Sequence, residues 1–86
     1  MYEIVYDRKV PRVLDKIPQD DVRKIREEIH RLKENPRPHG CKKLKGMTGL
    51  YRLRSGDYRI VYFIEENKVK ILIVSVKHRK DVYRDM

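Results

Sequence analysis

The sequence predicts an α+β domain of element order β-α-α-β-β-β, from three observations. Apolar residues recur at helical spacing between positions 10 and 32, Pro36-Arg-Pro-His-Gly-Cys41 interrupts the pattern, and beyond it the apolar period falls to 2. At 86 residues the chain has room for one core, so residues 1–86 are expected to form one domain.

Tyr2 to Tyr6 alternates Tyr/Ile/Tyr with Glu/Val and reads as a short strand. Val10, Val13, Leu14 and Ile17 follow at helical spacing, with Asp7 as a candidate cap. Pro11 is tolerated only in a first turn, which moves the predicted start of this helix towards Val10. Pro18 breaks the chain. A second helix carries Val22, Ile25, Ile29 and Leu32 on one face, Asp20 and Asp21 at its positive end, and Asp20/Lys24 and Glu27/Arg31 as i,i+4 pairs. Asn35-Pro36 ends it. Strands are predicted at 51–55, 58–64 and 69–77, with turns at Gly56 and at Glu65-Glu66-Asn67-Lys68. The first strand joins this meander, and the two N-terminal helices pack on one face of the small, mainly antiparallel sheet.

Register decides which side chains cooperate, because a slip of one residue exchanges the two faces. With Gly56-Asp57 as a two-residue turn, position 54 faces 59. Tyr51, Leu53, Tyr58, Ile60 and Tyr62 then share the helix-covered face, while Arg52, Arg54 and Arg59 share the other beside Val61 and Phe63. A three-residue turn would bury Arg59 without a partner, which is costly. Continued through the second turn, the pairing predicts Ile60 opposite Ile73 and Tyr62 opposite Ile71.

The charge is unevenly spread. The chain has 22 Lys+Arg against 13 Asp+Glu, a formal net charge of +9; residues 1–35 hold 9 basic and 8 acidic side chains, residues 36–86 hold 13 and 5. Such a surface favours a polyanionic partner, nucleic acid first. The arginine triple would repel itself by ~0.2–1 kcal/mol per close pair, and only Asp57 in the turn offsets it, so phosphate is the natural partner for these guanidinium forks. Lys42, Lys43, Lys45 and Lys77 extend the positive surface and are predicted to hold RNA phosphates.

Other classes are disfavoured. Cys41 is the only cysteine, so no internal disulfide is possible. The longest apolar run, Ile71-Leu-Ile-Val74, falls far short of the ~20 residues of a membrane helix, and the N-terminus lacks the basic leader and apolar stretch of a secretory signal. A cytoplasmic protein without membrane association is expected. His39 and Cys41 have no second ligand pair at metal-site spacing, so neither a metal nor another cofactor is expected. His30 reads as a polar residue flanking the apolar stripe.

The segments Lys43-Leu-Lys-Gly-Met47, Tyr51-Arg-Leu-Arg54, Tyr58-Arg-Ile-Val-Tyr62 and Ser75-Val-Lys-His-Arg79 through Tyr83, after one strand and two amphipathic helices, carry a family likeness. In this order they make the chain resemble the RelE toxins of the RelE/ParE superfamily, ribosome-dependent endoribonucleases of bacterial and archaeal toxin–antitoxin pairs. The resemblance implies cleavage of mRNA in the ribosomal A site by attack of a 2′-hydroxyl on the adjacent phosphate. It also implies a RelB-like antitoxin that wraps and neutralises the toxin in a hetero-oligomer.

Matched residue by residue, Arg59 and Arg79 take the family's role of stabilising the phosphorane, and Tyr83 matches the tyrosine that orients the nucleotide. Arg52 and Arg54 stand where the best-known branch has lysines. A guanidinium supplies charge but does not give up its proton, so a base is needed elsewhere. His78 is the leading candidate, as a side-chain type that exchanges protons near neutral pH; Tyr83 and Lys77 are weaker ones. Two alternatives are a ParE-like inhibitor of DNA gyrase, which has no need of Arg59, Arg79 and Tyr83 together, and a non-catalytic RNA-binding module.

Overall fold

Strand β1 (Glu3–Tyr6) leads into helix α1 (Val10–Asp15) and helix α2 (Gln19–Arg31), after which β2 (Lys42–Lys43), β3 (Leu50–Ser55), β4 (Tyr58–Glu65) and β5 (Lys70–His78) precede a short helix, α3 (Arg79–Arg84). The computed structural model describes residues 1–84, with side chains through Asp81. The five strands form one sheet in the order β1-β5-β4-β3-β2, with β1 parallel to β5 and every other pair antiparallel. The predicted α+β order holds, with two additions. A two-residue strand such as β2 is too short to show a period, and α3 follows β5 with no break in the sequence.

Asp7 closes the turn into α1, its side chain accepting the Lys9 N–H at 3.0 Å and its carbonyl the Val10 N–H at 2.9 Å. The helix therefore begins at Val10, with Pro11 in its first turn. On α2 the ion pairs form at i,i+3, Arg23 to Asp20 and Arg31 to Glu28, each at 3.3 Å, in place of the predicted Asp20/Lys24 and Glu27/Arg31. Val10 and Leu14 of α1 and Ile25, Ile29 and Leu32 of the α2 face pack on Leu53, Ile60, Tyr62, Ile64, Ile71, Ile73 and Val76 of the sheet, all of them buried.

The first hairpin has the predicted register, with Ser55 opposite Tyr58 and Arg54 opposite Arg59. Gly56 takes φ 58° at the first turn position while Asp57 keeps an ordinary negative φ, the combination of a type II′ turn, whose twist matches the strands it joins. The second hairpin departs from the expected pairing. Glu66–Lys68 forms a 3₁₀ turn and Val69 a left-handed residue at φ 53°, so β5 starts at Lys70 and Tyr62 faces Ile73 while Ile64 faces Ile71.

A bulge then follows. Tyr62 pairs with Ile73 but Val61 pairs with Ser75, leaving Val74 unopposed. Ile60 therefore faces Val76, not Ile73. The extra residue reverses the alternation of β5. Ile71 and Ile73 point inward before it, and Val76 does so after it, which turns Lys77 out to the uncovered face. Without the bulge Lys77 would follow Ile73 and Ser75 to the helix side, where an ammonium is expensive to desolvate.

Gly49 (φ 84°) lies against the opposite sheet face, where an added Cβ would come within 2.7 Å of the Phe63 ring. The segment after α2 is tied down by polar contacts. Tyr62, with no exposed surface, donates its hydroxyl to the Pro36 carbonyl at 2.8 Å, and burial raises its pKa. Arg37 lies 5.2 Å from the Tyr51 ring centroid, donates Nε–H to the Tyr51 hydroxyl oxygen and pairs with Glu66, which also accepts from Tyr2 at 2.9 Å.

Two outcomes are expected from these contacts. Arg37 first and Tyr2 second hold the Glu66 carboxyl below its usual range. Their contribution is thus complete above the ordinary carboxylate pKa and lost as pH falls through the lowered folded value. In urea titrations across acidic pH, the stability gap between wild type and Glu66→Gln should shrink as pH falls; a constant gap would count against this link. Val69 is 46% exposed, so its β-branched side chain gains little packing in return for a left-handed backbone. Val69→Asn should raise stability by about 0.5–1 kcal/mol in the same assay, and a loss would show the conformation to be unstrained.

Candidate nucleic-acid interface

The uncovered face of the sheet is graded in rows, because residues opposite one another across the strands share a side. Nearest the Gly56 turn, Arg54, Arg59 and Lys77 stand directly opposite across β3, β4 and β5. The next row is Lys42, Arg52, Val61 and Ser75. Beyond it come Leu50, Phe63, Leu72 and Val5, and last Glu65, Lys70 and Glu3, where Lys70 lies 3.9 Å from Glu3. Positive charge therefore concentrates at one end, separated by an apolar band from a mixed-charge row at the other.

Like charges placed directly opposite destabilise a sheet. The described ion pairs include none for Arg52, Arg54 or Arg59. Arg79, the first residue of α3, reaches the same end by another route. Its N–H donates to the Asp57 carbonyl at 2.7 Å, and its Nε lies 3.9 Å from the Asp57 carboxylate. That bond fixes the start of α3 against the β3–β4 turn.

Two adjoining hollows result. One, of about 270 Å³, is lined by Arg54, Gly56, Asp57, Tyr58, Arg59, Arg79 and Lys80; the other, of about 250 Å³, by Gly40, Lys42, Arg52, Leu53, Arg54 and Arg59. Arg54 and Arg59 form the wall between them. Larger hollows lie on other parts of the surface, such as one of about 460 Å³ between β1 and α2 and one of about 430 Å³ on α2, where Arg23, Arg26 and Arg31 stand beside Glu27 and two of the three are paired with Asp20 and Glu28.

Of the predicted site residues, Arg52, Arg54, Arg59, Lys42 and Lys77 share the open face and Arg79 joins them at its rim. His78 does not. It lies opposite Tyr58 on the helix-covered side, with the two rings edge to face at 5.2 Å. Its Nδ1 accepts the Lys80 N–H at 3.2 Å, capping α3, and it borders a hollow of about 550 Å³ shared with Val13, Lys16, Ile17, Tyr58, Val76, Lys77 and Asp81. The reason is the bulge, which put Lys77 out and so sent its neighbour in.

Lys43 pairs with Tyr51 and points away from the arginines, and Lys45 lies in the exposed turn beyond β2. The Tyr83 side chain lies outside the described residues. Lys80, which lines the first hollow, was not anticipated; its adjacency to Arg79 was the available signal. The bulge had no such signal, since positions 71 to 74 are all apolar and do not show which of them face the core. Among the described residues no group of three His, Cys, Asp or Glu side chains is placed to hold a metal ion, and no helix is long and apolar enough to cross a membrane.

Comparison with known proteins gives consistent likenesses over this whole architecture. The family profile for the ParE toxin of type II toxin-antitoxin system, parDE, matches residues 4–83. The mRNA interferase toxin RelE of Escherichia coli is 28% identical over 88 residues, covering 98% of this chain and 92% of that protein. Among solved structures, the toxin of the archaeal RelE-RelB complex from Pyrococcus horikoshii superposes with a TM-score of 0.82 at 30% identity, covering 91% of this chain and 94% of its own. The isolated E. coli RelE toxin superposes with a TM-score of 0.78 at 25% identity over the full length of both.

The crowded row makes a prediction about stability. Arg54→Thr, which removes one charge and suits a strand, should stabilise the protein by about 0.2–1 kcal/mol at low ionic strength, and by less near 0.5 M salt, where screening is strong. Urea denaturation at the two ionic strengths measures this; a destabilised variant would show that the row is not repulsive.

Proposed function

Because this chain belongs to the ParE toxin family of type II toxin–antitoxin systems and is a RelE-type toxin, we propose that it inhibits translation as a ribosome-dependent endoribonuclease. The substrate is mRNA in the ribosomal A site. One observation carries the reading, the row of Arg54, Arg59 and Lys77 opposite one another across three strands, with Arg79 at its edge.

Cleavage by an adjacent 2′-hydroxyl places extra negative charge on the phosphate oxygens as the phosphorane forms. Arg59, in the middle strand and in both hollows, is the residue best placed to receive that charge. A fixed donor aimed at a developing oxyanion is worth ~3–4 kcal/mol. Arg54 shares this work, and Arg79 stands where it can stabilise the departing 5′-oxygen. Arg52 and Lys42 hold the phosphate next along the strand, Lys43 and Lys45 contribute long-range attraction from the margins, and Tyr83 orients the nucleotide. His78 is assigned to capping α3, which keeps Arg79 in place.

The partner is a cognate RelB-like antitoxin. The P. horikoshii toxin that this chain resembles was solved as a RelE-RelB complex, and a net charge of +9 suits an acidic segment laid over the cationic end of the sheet. A toxin–antitoxin hetero-oligomer in the cytoplasm, where ribosomes are, is the resting state. The gyrase-inhibitor and plain RNA-binding readings leave the crowded row without a chemical task.

Purified toxin added to translating ribosomes tests the proposal. A-site breaks in the mRNA are expected, and Arg59→Ala should slow single-turnover cleavage by about 10²–10³-fold. Translation arrest with intact mRNA would overturn the nuclease reading, and gyrase-dependent DNA breaks would favour the inhibitor.

A further inference from the structure

We propose that Lys80 is the group that protonates the departing 5′-oxygen; the inference rests on the nuclease reading above. On that reading an RNA phosphate enters the hollow of about 270 Å³ at the Gly56 turn, which Lys80 lines together with Arg54, Arg59 and Arg79. An alkoxide leaves poorly without a proton, so a positioned donor is what turns phosphate binding into cleavage. The side chains around this hollow supply one. The three arginines stabilise charge but do not give up protons. The Asp57 carboxylate, 3.9 Å from the Arg79 Nε, is an acceptor and has no proton to give when ionised. Tyr58 turns to the helix-covered side, its ring edge to face with His78 at 5.2 Å. Burial first, and then the charges of Asp21, Asp57 and Asp81, raise its pKa and weaken it as an acid. Lys80 is exposed and carries three N–H donors on its ammonium. The described ion pairs include none for it.

The backbone fixes where Lys80 stands. The Arg79 N–H donates to the Asp57 carbonyl at 2.7 Å, and the next N–H, that of Lys80, donates to the His78 Nδ1 at 3.2 Å. Two consecutive N–H groups are therefore held, one by the β3–β4 turn and one by the last residue of β5. Arg79 and Lys80 leave this joint as neighbours beside the same hollow. A charge-stabilising group and a proton donor thus reach the phosphate from one element. The flexible four-carbon stem of lysine lets the ammonium follow the leaving oxygen while its backbone stays in place.

In the step assigned to it, the 2′-oxygen bonds to phosphorus as its own proton passes to water. The P–O5′ bond breaks, its electron pair stays with the 5′-oxygen, and that oxygen takes a proton from the Lys80 ammonium. Arg54 and Arg59 hold the charge on the non-bridging oxygens, and Arg79 steadies the 5′-oxygen until the proton arrives. The products are a 2′,3′-cyclic phosphate and a 5′-hydroxyl. Lys80, left as a neutral amine, recovers a proton from solvent.

Single-turnover cleavage on ribosomes at saturating toxin, measured for wild type, Lys80→Arg and Lys80→Gln, tests the assignment. Two mRNAs are compared, one natural and one with sulfur in place of the 5′-oxygen at the A-site bond. A thiolate leaves without a proton, because thiols are far stronger acids than alcohols. On natural mRNA both variants should be slower than wild type by at least about 100-fold, even though Lys80→Arg keeps the charge. On the sulfur-substituted mRNA both should cleave within about threefold of wild type, since no general acid is needed there. Lys80→Arg at the wild-type rate on natural mRNA would overturn the proposal. So would variants equally slow on both mRNAs, because Lys80 would then only bind phosphate. Failure of the wild type to cleave natural mRNA would overturn the nuclease reading itself, and the assignment with it.

Discussion

The two faces of β4 divide the molecule, and everything else depends on that division holding. Ile60, Tyr62 and Ile64 are buried against the helices while Arg59, Val61 and Phe63 alternate with them on the open side. β4 is the middle strand, hydrogen-bonded to β3 and β5. A slip of one position would exchange the sets and bury Arg59 in a core that holds no carboxylate. The cost of an unpaired buried charge is of the order of several kcal/mol, comparable with the entire stability of a small domain. The Gly56 turn sets the register on one side, and the core face of β5 sets it on the other.

Much of this was legible in the sequence because period and turn chemistry are local. Val22, Ile25, Ile29 and Leu32 announce their helix face, and Gly56-Asp57 with its alternating flanks settles Arg54 opposite Arg59. The second hairpin was harder. Val69 adopts a left-handed conformation that a β-branched residue rarely takes, so nothing local marks it as a turn position; it is held by the pairing of β1, whose Glu3 N–H donates to the Val69 carbonyl at 3.0 Å. The fate of Lys77 and His78 was harder still. It is decided by a bulge whose position reflects the need to seat Val76 in the core, a tertiary requirement that alternation alone does not express.

Arginine has two contrasting uses in this chain. Arg37 is fully engaged, stacked over Tyr51 and paired with Glu66, and its work is to hold the segment after α2 on the sheet. Arg54 and Arg59 face each other, and the described ion pairs include none for either, so the fold accepts repulsion between them. That is the pattern of a site arranged for an incoming anion at some expense to the isolated protein. An acidic segment and a phosphate would relieve the same repulsion, so under the proposed function inhibitor and substrate would compete for one surface.

The parallel pairing of β1 with β5 sets Glu3 opposite Lys70, joining the first strand of the sheet to the last in sequence. Non-local strand pairing is slow and comes late in folding. During synthesis β1 must therefore wait for almost the whole domain to emerge before it has a neighbour, and β5, the strand it waits for, is also the one that delivers Lys77. The cationic row is complete only once β5 has paired with β4. The order of strands thus makes assembly of the cationic row one of the last steps in forming the sheet.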